Sequence, residues 1–438
     1  MKKLALLALF VLMAVGVVSC AAPAPTPVPP TAVPPTAVPK PTEAPKPTEA
    51  PKATTAPTEA PKATVAATAA PTVAATSATA SGPIKIGFFS PLTGPTAADG
   101  QSAFNSAKLA VKLINDAGGV NGRPLELVNY DDAGKPDQAA SIARKLIESD
   151  KVVAAVSGAY SGPTRAAAPV FQQAGMVMLS AYAIHPDITN AGDKIFRIGT
   201  LADVQGRVGA ELVAKNLKAK NVAVLIIDND YGVSLTAGFK AYAPKVGINV
   251  VFEQKYSFGE KDFRPIIEKI KTLNPDAIYA TGYYAEASTF LSQAKDAGLK
   301  MPIVGQEGYD SPELFKLAGA SAEGVIITTD LNRDGKEPMT QKFLTEYKKA
   351  YNEEADMVGA SAFDAVQVLA YAMKTGGVNT AAIQKALLGL KDFHDVATGP
   401  FQYYTPGREV VRPVSSQIVK NGAFHLYQEF TDPTLTVP

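Results

Sequence analysis

From Pro83 to the C-terminus, short apolar, β-branched runs alternate with longer stretches whose apolar positions recur every three or four residues. That switching between a strand period and a helix period restricts the chain to α/β architecture, with a mostly parallel sheet covered by helices on both faces. In the first half, the pattern predicts strands over 84–89, 125–130, 152–156 and 176–180, and helices over 97–117, 136–149 and 163–174. In the first helix Ala103, Ala107, Ala110, Ile114 and Ala117 share one apolar face, and Gly118-Gly119 ends it. A second unit follows, with strands over 222–227, 248–252, 276–280 and 303–304 and helices over 204–217, 234–242, 262–273 and 285–297. After another apolar run at 324–329 come helical stretches over 338–351, 359–375 and 380–388. Strand-like segments at 414–419 and 423–427 close the chain around the hairpin pair Asn421-Gly422. Two similar doubly wound units imply two lobes with a cleft between them.

The 438 residues, with 34 Pro and no Trp, also contain a part that builds no core. Between residues 21 and 82 the chain is almost wholly Ala, Pro, Thr, Val, Lys and Glu, without aromatic residues, Leu or Ile, and Pro-Thr-Glu-Ala-Pro-Lys recurs from Pro41, Pro47 and Pro57. Such a segment cannot offset the entropy of ordering and reads as a disordered tether biased to extended polyproline conformations. Ahead of it, Lys2 and Lys3 precede an apolar run over 4–18 that is too short to span a bilayer comfortably. The run ends in Val-Val-Ser-Cys at Val17 to Cys20, the layout of an export signal over 1–19. Cys20 is the only cysteine, so no intramolecular disulfide forms and the globular part has no thiol for catalysis or metal binding.

The formal net charge of +1, from 42 basic and 41 acidic residues, gives no electrostatic signature of nucleic-acid binding. No Gly-x-Ser-x-Gly elbow, His-Glu-x-x-His or phosphate-cradling Gly-rich motif occurs, and the three histidines, His185, His394 and His425, are far apart in sequence. Asp131 and Asp132 are adjacent on an extended segment, face opposite ways and read as structural. Neither an enzyme nor a cofactor is expected. One stretch does suggest a ligand: the apolar run at 152–156 passes through a glycine-bearing turn to a helix start, where backbone N–H groups and the hydroxyl of Ser161 favour a small carboxylate.

Several segments then fall in a telling order: Ile-Lys-Ile-Gly-Phe-Phe-Ser-Pro-Leu-Thr-Gly-Pro from Ile84, Gly-Gly-Val-Asn-Gly-Arg-Pro-Leu-Glu-Leu from Gly118 and Tyr-Asp-Asp-Ala from Tyr130. Asp-Tyr-Gly from Asp230, Gly-Glu-Lys-Asp-Phe from Gly259, Gly-Tyr-Tyr-Ala-Glu from Gly282 and Gly-Gln-Glu-Gly from Gly305 follow. Together they resemble the extracytoplasmic Leu/Ile/Val-binding family of ABC importers, which has the type I periplasmic-binding fold, over nearly all of 83–430. The sequence around Cys20 resembles a bacterial lipobox, which implies lipid modification of Cys20 and a lipid-anchored, extracytoplasmic protein. The resemblance implies chain crossings near Thr200, near Thr329 and within 403–412. Lobe 1 is then 83–200 plus 331–405, and lobe 2 is 201–330 plus 406–438.

It also implies a site. Ser161 takes the ligand's α-carboxylate, backbone groups come from Tyr182, Ala183 and Ile184, Glu307 pairs with the ammonium, and Tyr231 and Tyr283 complete the second lobe's wall. Alternation lets Tyr283 rather than Tyr284 face the cleft. Two positions depart from the family. Ile184 stands where a threonine hydroxyl is common, and Asp99 stands where an aromatic often packs on the ligand side chain. Asp99 either faces the cleft, favouring a polar, amide or cationic group, or caps the helix that follows; Tyr160 and Tyr182 narrow the pocket in compensation. The implied function is capture of an amino acid, by default branched-chain or otherwise hydrophobic, and its delivery by a monomer to ABC permease and ATPase subunits. A surface ligand sensor and a receptor for an amide, urea or aromatic acid are the alternatives.

Overall fold

The computed structural model describes residues 82–438; the expected signal segment, Cys20 and the tether up to residue 81 lie outside the described residues. The first lobe opens with β1 (Ile84–Ser90), α1 (Ala97–Asp116), β2 (Leu125–Asp131), α2 (Pro136–Glu148) and β3 (Ala154–Ser157). It continues through α3 (Ser161–Gln173), β4 (Met178–Ser180), α4 (Asp187–Asn190) and β5 (Ile195–Arg197). The strands form a parallel sheet in the order β2-β1-β3-β4-β5. Every residue of β3 is buried, as its unbroken apolar run requires of a central strand covered on both faces. Pro136, at the first position of α2, sets its entry with the fixed φ that a helix start needs.

The second lobe begins with α5 (Ala202–Glu211), which passes into a π-helical turn over Leu212–Asn216, then β6 (Asn221–Ile227), α6 (Asp230–Tyr242), β7 (Asn249–Tyr256) and α7 (Arg264–Leu273). β8 (Ala277–Ala280), α8 (Tyr284–Asp296), β9 (Ile303–Gly305), α9 (Pro312–Ala318) and β10 (Ile326–Thr329) follow. The chain then returns to the first lobe as α10 (Pro338–Tyr351), α11 (Met357–Gly376), α12 (Thr380–Leu388) and a three-stranded antiparallel sheet of β11 (Lys391–Phe393), β12 (Phe401–Tyr404) and β13 (Val410–Val411). It ends in the hairpin β14 (Val414–Lys420) and β15 (Ala423–Phe430) and the short α13 (Pro433–Thr436). The hairpin pairs antiparallel with β10 and completes a seven-stranded sheet, β15-β14-β10-β9-β8-β6-β7. Asn421 and Gly422 both have positive φ, 53° and 70°, as this hairpin turn requires.

α11 is buried nearly all round, through Ala360, Ala362, Phe363, Val366 and Leu369, and packs on the small-residue face of α1 at Ala103, Ala107 and Ala110 in one core. That packing carries the N-terminus of α11 to the cleft. The two lobes are joined by three crossings, after β5, after β10 and after β13. At the first two, the Thr200 N–H (2.9 Å) and hydroxyl (2.6 Å) donate to the two oxygens of buried Asp330. Arg197, fully buried, reaches from β5 to Glu409 at 2.7 Å beside the third. β13 pairs with β12 and Val410 packs in the first lobe's core, so residues 406–411 sit with that lobe, beyond the boundary expected at 405.

Candidate ligand-binding site

The turn after β3 is set by a close approach: a Cβ on Gly158 would stand 2.3 Å from the ring of Phe88. Beyond it Tyr160 occupies the N-cap position in extended conformation and α3 starts at Ser161, two residues earlier than the periodicity predicts. Ser161 is 2% exposed, and its hydroxyl has no hydrogen-bond partner among the described residues. The amides of Ser161 and Gly162, at the start of α3, have no partner within the helix, because a helix cannot satisfy its own leading N–H groups.

The loop after β4 is held against this turn. Ala181 N–H donates to the Ser157 carbonyl (2.9 Å) and the Tyr182 hydroxyl to the Gly158 carbonyl (2.6 Å). The Ala183 carbonyl accepts from the Ser180 hydroxyl at 2.9 Å and from Arg197, and so is engaged within the fold. The Ile184 side chain packs into the second lobe's core instead of lining the cavity.

The opposite wall comes from three strand ends of the second lobe. Asn229 caps α6 by accepting from Gly232 N–H (2.9 Å), which places Tyr231 in the first turn. The Tyr231 hydroxyl accepts from Gly308 N–H at 3.3 Å, and the Tyr283 hydroxyl accepts from the Asn229 side chain at 3.3 Å. Glu307 begins a short turn one residue beyond β9 and is 3% exposed; neither of its carboxylate oxygens has a hydrogen-bond partner among the described residues. Burial, with Asp330 adding, pushes its carboxyl well above the usual carboxylate range.

Across the cleft the Tyr160 ring stacks on Tyr283 (4.3 Å between centroids, 5° between planes), and Tyr283 lies against Tyr231 at 5.1 Å. This aromatic wall separates two cavities. The outer, of about 350 Å³, opens at the cleft mouth beside Pro95, Asp230 and Phe258, within the size range of small-molecule sites. The inner, of about 20 Å³, has room for on the order of one water. The inner lining brings together Asp99, Ser161, Tyr182, Ala183, Tyr231, Tyr283 and Glu307, with Tyr160, Gly308, Met357 and Val358. Met357 and Val358 open α11, two residues before the helix expected at 359, and only the folding of α11 onto α1 delivers them; no local sequence signal marks them. Tyr284 starts α8 and packs in the second lobe's core.

Asp99 is the third residue of α1 and caps nothing: Thr96 holds the N-cap position, and the Asp99 carboxylate accepts the Tyr160 hydroxyl at 2.5 Å. Asp131 and Asp132 are structural. Asp131 accepts the Thr93 hydroxyl (2.6 Å) and the amides of Leu92 and Ala133 (each 2.8 Å), and Asp132 accepts Gly134 N–H (2.7 Å). His185, half-buried in its loop, accepts Asp187 N–H at 3.2 Å, and burial lowers its pKa. Among the described residues, no group of three or more His, Cys, Asp or Glu is placed to hold a metal ion, and no helix is long and apolar enough to cross a membrane.

Two doubly wound lobes on a three-crossing hinge, with buried polar groups opposed across the cleft, define a clamshell solute receptor. The family pattern described as Periplasmic binding protein matches residues 83–423, and the chain belongs to that family. It is similar to the leucine-, isoleucine-, valine-, threonine- and alanine-binding protein of Pseudomonas aeruginosa, at 33% identity over 83% of this chain and 94% of that one. Among solved structures it is similar to the branched-chain amino acid transporter substrate-binding protein LivJ of Streptococcus pneumoniae in complex with isoleucine, with a TM-score of 0.73 and 30% identity over 80% of this chain and 99% of that one. The leucine-binding protein LivK of Thermotoga maritima is similar at a TM-score of 0.74 and 28% identity over 80% and 99% of the two chains.

Proposed function

We propose that this protein is the substrate-binding component of an ABC importer and captures a zwitterionic amino acid between its lobes. The observation that carries the reading is the pair of partnerless buried groups on opposite walls of one cavity, the Ser161 hydroxyl at a helix N-terminus and the Glu307 carboxylate. Leaving either group without a partner costs stability, and a zwitterion repairs both: its carboxylate meets Ser161 and the amides of α3, and its ammonium meets Glu307. Opening about the hinge parts Tyr160 from Tyr283 and joins the outer cavity to the inner one, which gives an amino acid the room that the stacked rings deny it; closure then brings the two rings against the ligand instead of each other. The relatives named above support an amino acid as ligand.

Under the same reading the chain works as a monomer without catalysis or cofactor and docks its closed form on the permease of a permease–ATPase complex. It is exported, lipid-anchored through Cys20, and held at the membrane by the tether. The division into lobes follows the sheets, with the last crossing after Val411.

A thermal-shift series on the protein with each common amino acid, urea and benzoate tests the ligand class. A ligand at 100 times its Kd stabilises by about 2.7 kcal/mol, a shift of several degrees in Tm. A response to one or a few amino acids is expected. A response confined to urea or benzoate overturns the zwitterion.

A further inference from the structure

Resting on the reading of the inner cavity as an amino-acid site, we propose that the side chain accepted there ends in a nitrogen donor, a carboxamide or an ammonium, and that Asp99 receives it. Asp99 is 4% exposed and lies on the first lobe's side of the cavity that Glu307 closes from the second. One carboxylate oxygen accepts the Tyr160 hydroxyl; the other makes no hydrogen bond to the described residues. No structural task uses that second oxygen, since the start of α1 is not capped by it.

The cavity lining holds two acids, Asp99 and Glu307, and no Lys, Arg or His. An α-ammonium answers only one of the two. The flanking wall of Met357, Val358, Tyr160 and Tyr182 is apolar along the approach to Asp99, which suits an aliphatic stem with a polar end. An aliphatic side chain ending there strips water from the carboxyl without replacing its hydrogen bond. A site built around a buried polar group rejects a ligand lacking the matching group by at least about tenfold, and often by far more. Burial, with Asp356 adding, raises Asp99 to about 8, so its carboxyl is largely neutral at pH 7. A neutral carboxyl pairs well with a carboxamide, and an ammonium displaces its proton.

The test uses titration calorimetry on the full chain, freed of endogenous ligand by partial unfolding and refolding. Asparagine and leucine are nearly isosteric and differ in the terminal group, while glutamine and lysine extend the stem. Asparagine, glutamine or lysine is expected to bind at least about tenfold more tightly than leucine, isoleucine and valine. Asp99→Leu is expected to reverse that order, and Asp99→Asn, which keeps the shape if the leucine variant does not fold, to weaken lysine while sparing the amides. Binding heats in buffers of different ionisation enthalpy separate the two chemistries, since every amino acid displaces the proton held at Glu307 and a side-chain ammonium releases one more at Asp99, which a carboxamide does not. Tightest binding by leucine, isoleucine or valine, with a ranking that Asp99→Asn leaves unchanged, overturns this inference and leaves the amino-acid reading standing. Binding of no amino acid at all overturns both.

Discussion

The hinge and the cleft bury polar groups to the same depth and treat them in opposite ways. Thr200 and Asp330 are 1% and 2% exposed and satisfy each other with two hydrogen bonds; Ser161 and Glu307 are 2% and 3% exposed, and their side-chain oxygens find no partner among the described residues. Between these two pairs, burial does not distinguish scaffold from site; pairing does. The Thr200–Asp330 pair ties the first two crossings together whatever occupies the cleft, because its hydrogen bonds close within the chain. Cleft groups gain their partners only from what binds, which couples closure to the ligand.

Exchanging stability for binding at one region and not the other breaks this comparison most sharply. Glu307→Ala is expected to weaken amino-acid binding by more than about a hundredfold, since it removes the ammonium's partner, while the ligand-free fold is as stable or more stable without a partnerless buried carboxyl. Calorimetry paired with urea unfolding reads both quantities, and a folded variant of near-normal affinity removes Glu307 from the site. Asp330→Ala is expected to do the reverse. It strands two buried Thr200 donors at about 1–3 kcal/mol each, so the urea midpoint falls clearly while the contacts to ligand remain. An unchanged midpoint shows that the Thr200–Asp330 pair does not tie the two crossings together.

A pH titration sharpens the contrast further. Burial raises Asp99 to about 8 and Asp356 to about 7, so the folded protein holds these protons more tightly than the unfolded chain does. Their contribution to stability is complete below the unfolded pKa, near 4, and is lost as pH rises through 7 to 8. The groups that act on Asp99 are Tyr160, which donates to it, and the acids Asp356, Asp310 and Glu313. The ligand-free Tm is expected to fall between about pH 5 and about pH 8.5, and Asp99→Asn to flatten the upper half of that fall. A flat profile above about pH 5 in the parent removes the protonated cavity from the account.

The main strands and helices were legible because each carries a long run of one period, as β6 does with Val-Ala-Val-Leu-Ile-Ile and α1 with its alanine face. Elements defined by tertiary pairing were not. β5 and β11 are three residues each, and β7 continues beyond residue 252 through Glu253, Gln254 and Lys255, exposed positions that carry no apolar signal. In the site, the physical chemistry of the sequence reached only the turn at Ser161; Glu307, Tyr231 and Tyr283 entered through family resemblance. Asp99 shows where a sequence reading is ambiguous in principle. An aspartate near a helix start reads either as a cap or as a group facing the cleft, and what bears on the choice is the Tyr160 hydroxyl, 61 residues away in the chain.

The smallest effect is expected at the rim, where the two regions' logics meet. Arg165 on α3 donates from two nitrogens to the two oxygens of Asp230 at the start of α6, at 2.9 and 3.2 Å, and so pairs across the cleft without any ligand. Like the hinge, it is satisfied within the chain; like the cleft groups, it forms only when the lobes close. Its side chains are 44% and 31% exposed, so water and salt screen the pair, and exposed pairs of this kind contribute about 0–1 kcal/mol. Arg165→Ala is thus expected to weaken ligand affinity by less than about fivefold, chiefly through faster release, with the difference from the parent vanishing as salt is raised. Stopped-flow dissociation at low and high salt checks this. A loss as large as that of Glu307→Ala, persisting at high salt, means that closure is held at the rim and not by the buried groups.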